Sequence, residues 1–70
     1  MTILTNEEKI SIIDQHKRSI EYSKYGYEMS LIEENAVSKP SQSTIDSLNQ
    51  QIADMDSKLA ALDAEIAALQ

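Results

Sequence analysis

The chain contains no cysteine, tryptophan or phenylalanine, and only one glycine, one proline and one histidine among its 70 residues. Each scarcity removes an option. Without cysteine no disulfide can staple the fold, and His16 alone cannot supply the nitrogen and sulfur ligands of a structural zinc site. A single Gly and a single Pro leave little of the punctuation that sheets and turns require. No run approaches the roughly 20 apolar residues of a membrane span, and the opening MTILTNEEKI lacks the basic-then-apolar layout of a secretory signal. A basic stripe is missing too: twelve acidic residues against six basic ones give a net charge of −6, which disfavours binding to nucleic-acid phosphates or to anionic membranes. The expectation is a cytoplasmic protein without cofactor, with neither nucleic acid nor membrane among its partners.

What is present is helical periodicity. Thr5-Asn6-Glu7-Glu8 reads as a capping box, in which a hydroxyl serves the third helical amide and a carboxylate reaches back. The first helix is expected over about 6–36. Pro40 biases Lys39 away from helical geometry, so a loop is placed over about 37–40. A second helix follows over about 41–70, with Ser38 or Ser41 as its cap and Pro40 in its first turn. Gly26 lies inside the first helix, where it costs about 1 kcal/mol relative to Ala. It marks a kink, the close approach of another backbone, or a break into two shorter helices.

The second helix carries Ile45, Leu48, Ile52, Met55, Leu59, Leu62, Ile66 and Leu69 at alternating spacings of three and four, the a and d positions of a coiled coil. The first helix repeats the spacing with Ile10, Ile13, Lys17, Ile20, Lys24, Tyr27, Leu31 and Glu34. Two of its a positions are therefore lysines. Folded back on itself near residues 39 and 40, the chain brings residues whose numbers add to about 79 face to face. Ile10 then meets Leu69, Ile13 meets Ile66, Ile20 meets Leu59, Tyr27 meets Ile52, Leu31 meets Leu48 and Glu34 meets Ile45. Lys17 falls opposite Leu62, and Lys24 opposite Met55. The same register sets Asp14 near Asp63 and Glu21 near Asp56, and the two lysines can answer this by laying their stems along the seam and turning their ammonium groups to the acids. Exposed pairs of this kind select register more than they stabilise. A parallel coiled coil through two copies of the second helix is the rival, but it leaves the apolar seam of the first helix uncovered. The fold class expected is all-α: a single domain forming an antiparallel two-helix coiled-coil hairpin.

A lone hairpin is marginal in apolar burial for a chain this short. Further apolar surface lies outside the seam. Tyr22, Tyr25, Met29 and Ile32 form a patch on the first helix, and alanines including Ala53, Ala60, Ala64 and Ala67 line the outer side of the second. Pairing of hairpins, most simply into a dimeric four-helix bundle, is the expected homo-oligomer. The tyrosines also suit contact with another protein, since tyrosine supplies area at low entropy cost; otherwise they pack against a second hairpin or remain on the surface.

Nothing points to catalysis. His16 and Asp14 are two apart and point in different directions on a helix. Asp14, Glu21, Asp56 and Asp63 could line a metal site between helices, but the Glu-x-x-His repeat of such sites is missing, and a lysine-balanced solvated flank is the simpler account. There is no glycine-rich phosphate loop and no nucleophile elbow. A non-enzymatic structural or accessory protein is expected, acting through coiled-coil self-assembly or by docking on a larger complex. The alternative is a small regulatory binder that masks a host or cellular protein. An acidic mimic of nucleic acid is less consistent with Lys17, Arg18, Lys24 and Lys58 interrupting the acids.

In length, acidity and the helical pattern from Asn6 to Gln70, the chain resembles the small acidic helical-hairpin proteins of tailed bacteriophages. That resemblance implies a viral origin, with the virion or host cytoplasm as location, and assigns no functional residue.

Overall fold

The computed structural model describes residues 3–70. Two helices, α1 over Asn6–Asn35 and α2 over Gln42–Leu69, pack along each other in opposite directions. Thr5 caps α1 in extended geometry: its hydroxyl accepts from the Glu8 amide at 3.1 Å, and the Glu8 carboxylate accepts from the Thr5 amide at 3.0 Å. Two of the amides that a helix start leaves unpaired are satisfied in this way. Glu7 and Glu8 also place negative charge at the positive end of the helix dipole.

The helix runs without interruption through Gly26, so the expected alternative of two shorter helices does not occur. Close backbone approach within the chain is not the reason for the glycine either. A Cβ added there meets nothing within 4 Å, and Gly26 does not adopt positive φ.

α1 ends at Asn35, with Ala36 as its cap. Ser41, not Ser38, caps α2, its hydroxyl accepting from the Thr44 amide at 3.3 Å. Pro40 consequently precedes the cap and stands outside the helix, a correction to its expected place in the first turn. A start at Ser38 would require Lys39 to be helical immediately before proline, which the proline ring disfavours.

Every seam position loses water. All eight on α1 and seven of those on α2 are half-buried, and Met55 is buried, with 9% of its surface exposed. Met55 is the only buried residue among those described. Two helices can cover one stripe of each other but cannot surround a side chain, so a hairpin has a seam where a globule has a core. The molecule measures 55 × 20 × 15 Å with a radius of gyration of 16.4 Å. A compact chain of this length has a radius of about 11 Å.

Candidate protein-interaction surface

The ion pairs that define register come from the two lysines inside the α1 seam. Lys17 pairs with Asp63 across the hairpin. Lys24 Nζ lies 2.6 Å from Asp56 Oδ1 and 4.0 Å from Glu28 Oε1. Each lysine keeps only about a quarter of its side-chain surface exposed, 24% for Lys17 and 28% for Lys24, because the stems lie on the seam. The hydrogen bond to Asp63 raises the Lys17 pKa, opposed by partial desolvation and helped by the charges of Asp63, Asp14 and Glu21. Lys24 is raised in the same way, first by its hydrogen bond to Asp56. At the start of α1, the hydrogen bond from the Thr5 backbone lowers the Glu8 pKa.

Both ends of the hairpin are tied by contacts that periodicity does not show. At the open end, the Asn6 side-chain amide donates to the Leu69 carbonyl at 3.0 Å and satisfies one of the carbonyls left unpaired at the end of α2. At the closed end, Glu34 accepts from the Ser41 amide at 2.8 Å. Glu34, at a seam position opposite Ile45, thus ties its carboxylate to the start of α2. Its proximity to Ser41 depends on the path of the loop, which seam spacing does not encode.

Outside the seam, Tyr22 is 85% exposed, Tyr25 and Ile32 are each 61% exposed, and Met29 is half-buried. These residues recur at spacings of three and four on the side of α1 turned away from α2. The corresponding side of α2 changes character along its length. Gln42 and Gln50 donate to Asp46 and Asp54 in its first half, and the Ser57 hydroxyl donates to the Ala53 carbonyl. Beyond Ser57 that side is alanine: Ala60, Ala61, Ala64, Ala67 and Ala68 are all exposed.

An open depression of about 310 Å³ lies near the free ends, lined by Leu4, Ile12, Ile13 and Leu69 with Lys9 and Glu65 at its margin. Sequence reading missed it. Ile12 lies off the seam, and its approach to Leu69 follows only from the hairpin register. The depression lacks a polar group set to orient a small ligand, and among the described residues no three or more His, Cys, Asp or Glu side chains are placed to hold a metal ion.

The two broad faces of the hairpin differ in charge. In heptad terms, the e and b positions of both helices share one face, and g and c share the other. The e and b face carries seven carboxylates, on Glu7, Asp14, Glu21, Glu28, Asp46, Asp56 and Asp63, against Arg18 and the two seam lysines that lean over it, a net of −4. The g and c face carries Glu33, Asp54 and Glu65 against Lys9 and Lys58, a net of −1 with His16 neutral.

No family model, curated protein or solved structure matches this sequence. Among the described residues no helix is long and apolar enough to cross a membrane.

Proposed function

We propose that this chain is a non-enzymatic structural or accessory protein that works by helix association, pairing with its own copies or docking on a larger complex. One observation carries this reading. The coiled-coil seam is consumed inside the hairpin, while bulky apolar side chains at Tyr22, Tyr25 and Ile32 remain in water on the opposite side. Aromatic residues of that kind form the energetic centres of protein interfaces. The phage-like pattern of the sequence supports a viral setting, in the virion or the host cytoplasm.

The acidic face favours a second reading, a regulatory binder that the field of these carboxylates steers toward a basic surface on its target. Capture experiments with the Tyr22→Ala, Tyr25→Ala double variant separate the two. Loss of a captured protein with the oligomer intact supports the binder. Collapse of the oligomer instead assigns the tyrosines to self-assembly. If neither capture nor oligomer depends on them, the stripe has no role in association.

A further inference from the structure

A four-helix bundle made from two hairpins must turn one broad face of each inward, because both faces lie roughly 100° around each helix from the internal seam. Closing the bundle on the e and b face would set a net −4 against a net −4. The g and c face brings together only −1 and −1, and it is the smoother of the two. Ser19, Ser23, Gly26 and Ser30 follow one another along its α1 side. We propose that a second copy of this chain stacks on the g and c face with the open ends together, so that each α1 lies on the other copy's α2. The inference rests on the self-assembly reading above and adds to it the face, the direction and a role for Gly26; Tyr22, at an f position, and Tyr25 and Ile32, at b positions, stand outside this contact and stay free for another partner.

Three independent observations support it. The first is area. The chain exposes 5268 Å², about 900 Å² more than the ~4,400 Å² of a compact protein of its mass. A standard-size interface removes about 800 Å² from each partner. One further copy accounts for the excess.

The second is pairing. Both ion pairs across the hairpin join residues whose numbers add to 80. At equal heights, Ile12 of one copy meets the partner's Ala68, Ser19 meets the partner's Ala61, and Glu33 meets the partner's Ser47. One step along, Ser23 meets the partner's Lys58 and His16 meets the partner's Glu65. Ile12 and Glu33 each face a small residue, and no two like charges are opposed. Turned end for end, α2 would lie on α2 and set Asp54 against the partner's Glu65 twice.

Gly26 is the third. It sits mid-helix with open space where its side chain would be, and nothing in its own hairpin explains the helix propensity it forgoes. On this face it stands level with the partner's Asp54, where the absent side chain lets the second backbone come near and leaves room for that aspartate.

Solution mass across a concentration series, by sedimentation equilibrium, is the test. The unaltered chain is expected to reach twice its 7.8 kDa mass. The Gly26→Glu, Ser30→Glu variant, which sets a carboxylate against the partner's Asp54, is expected to stay monomeric with its helicity retained. Gln15→Glu, Ser57→Glu adds the same charge on the outermost lines of the helices and is expected to leave the doubled mass unchanged. A spin label at Ser38→Cys should lie within about 25 Å of its copy, given interaxial distances near 10 Å, whereas end-for-end stacking puts it near the 55 Å length of the molecule. A doubled mass that survives Gly26→Glu, Ser30→Glu overturns the choice of face and leaves self-assembly standing. A long label distance overturns the direction. A wild-type chain of single mass at millimolar concentration overturns both this inference and the self-assembly on which it rests.

Discussion

The two helices have nearly equal length and unlike seams. α2 is apolar at all of its a and d positions, whereas α1 places Lys17, Lys24 and Glu34 among its own. The interruptions are the informative part. An uninterrupted seam attracts any apolar stripe of the right period, including another α2. Lys17 and Lys24 can reach Asp63 and Asp56 only when the chain folds back antiparallel at one register, and Glu34 reaches the Ser41 amide only across this loop. α2 thus supplies the contact area, and α1 supplies the direction. A polar a position that selects pairing at some cost in stability is a known coiled-coil device.

The contrast can be broken most severely at the α2 seam. Met55→Ala removes the one buried side chain among the described residues and is expected to cost about 2 to 3 kcal/mol, near the low end for Met→Ala because two helices leave the site partly open to collapse. Urea unfolding monitored by circular dichroism measures this. A loss below about 0.5 kcal/mol would mean that the seam is not where the stability lies. The α1 cap comes next: Thr5→Ala should cost about 1 kcal/mol and lower the melting temperature by several degrees. Of opposite sign is Gly26→Ala, which should add about 0.4 to 1 kcal/mol at concentrations where the chain is monomeric, since nothing obstructs the methyl group.

Replacing both seam lysines tests direction instead of stability. The Lys17→Leu, Lys24→Leu variant should melt no lower than the parent, yet it loses the contacts that define antiparallel register. Dyes at Ser11 and Ala68, close together in the parent, should then report a mixed population. A single short distance in the variant would show that loop length alone sets the direction.

The smallest effects come with pH, and both signs follow from the shifts. Lys17 and Lys24 are raised above the ordinary value of 10.5, so their contribution is complete below that value and disappears as pH rises through the folded-state pKa values. Glu8 is lowered below 4.5, so its contribution is present above that value and fades as pH falls through the folded-state value. Melting temperatures from pH 3 to pH 12 should therefore decline slightly at both ends. Thr5→Ala should flatten the part of the acid-side decline that Glu8 contributes, and removal of the lysines should flatten the alkaline side.

Much of this was legible in the residues. The seams were readable because helix geometry converts a spacing of three and four directly into a stripe, with no need of distant parts of the chain. Thr5 and Glu8 were readable because a cap involves neighbours within one turn. Pro40 misled by one position, since proline at the start of a helix and proline just before its cap satisfy the same backbone rules; the Thr44 amide, paired with the Ser41 hydroxyl, decides between them. Asn6 on Leu69, the link from Glu34 to Ser41 and the depression beside Ile12 were not readable, because each depends on how two distant segments meet.

By itself the sequence determined that this chain makes two capped helices with matching apolar stripes, a consequence of local spacing. Only the tertiary structure decided that the stripes close on each other in antiparallel register, that α1 continues through Gly26, and that Tyr22, Tyr25 and Ile32 remain in water after closure. The physical reason is that periodicity says which side of a helix seeks cover and leaves open what covers it. That choice is made by the ion pairs and end contacts that exist only once the two helices lie side by side.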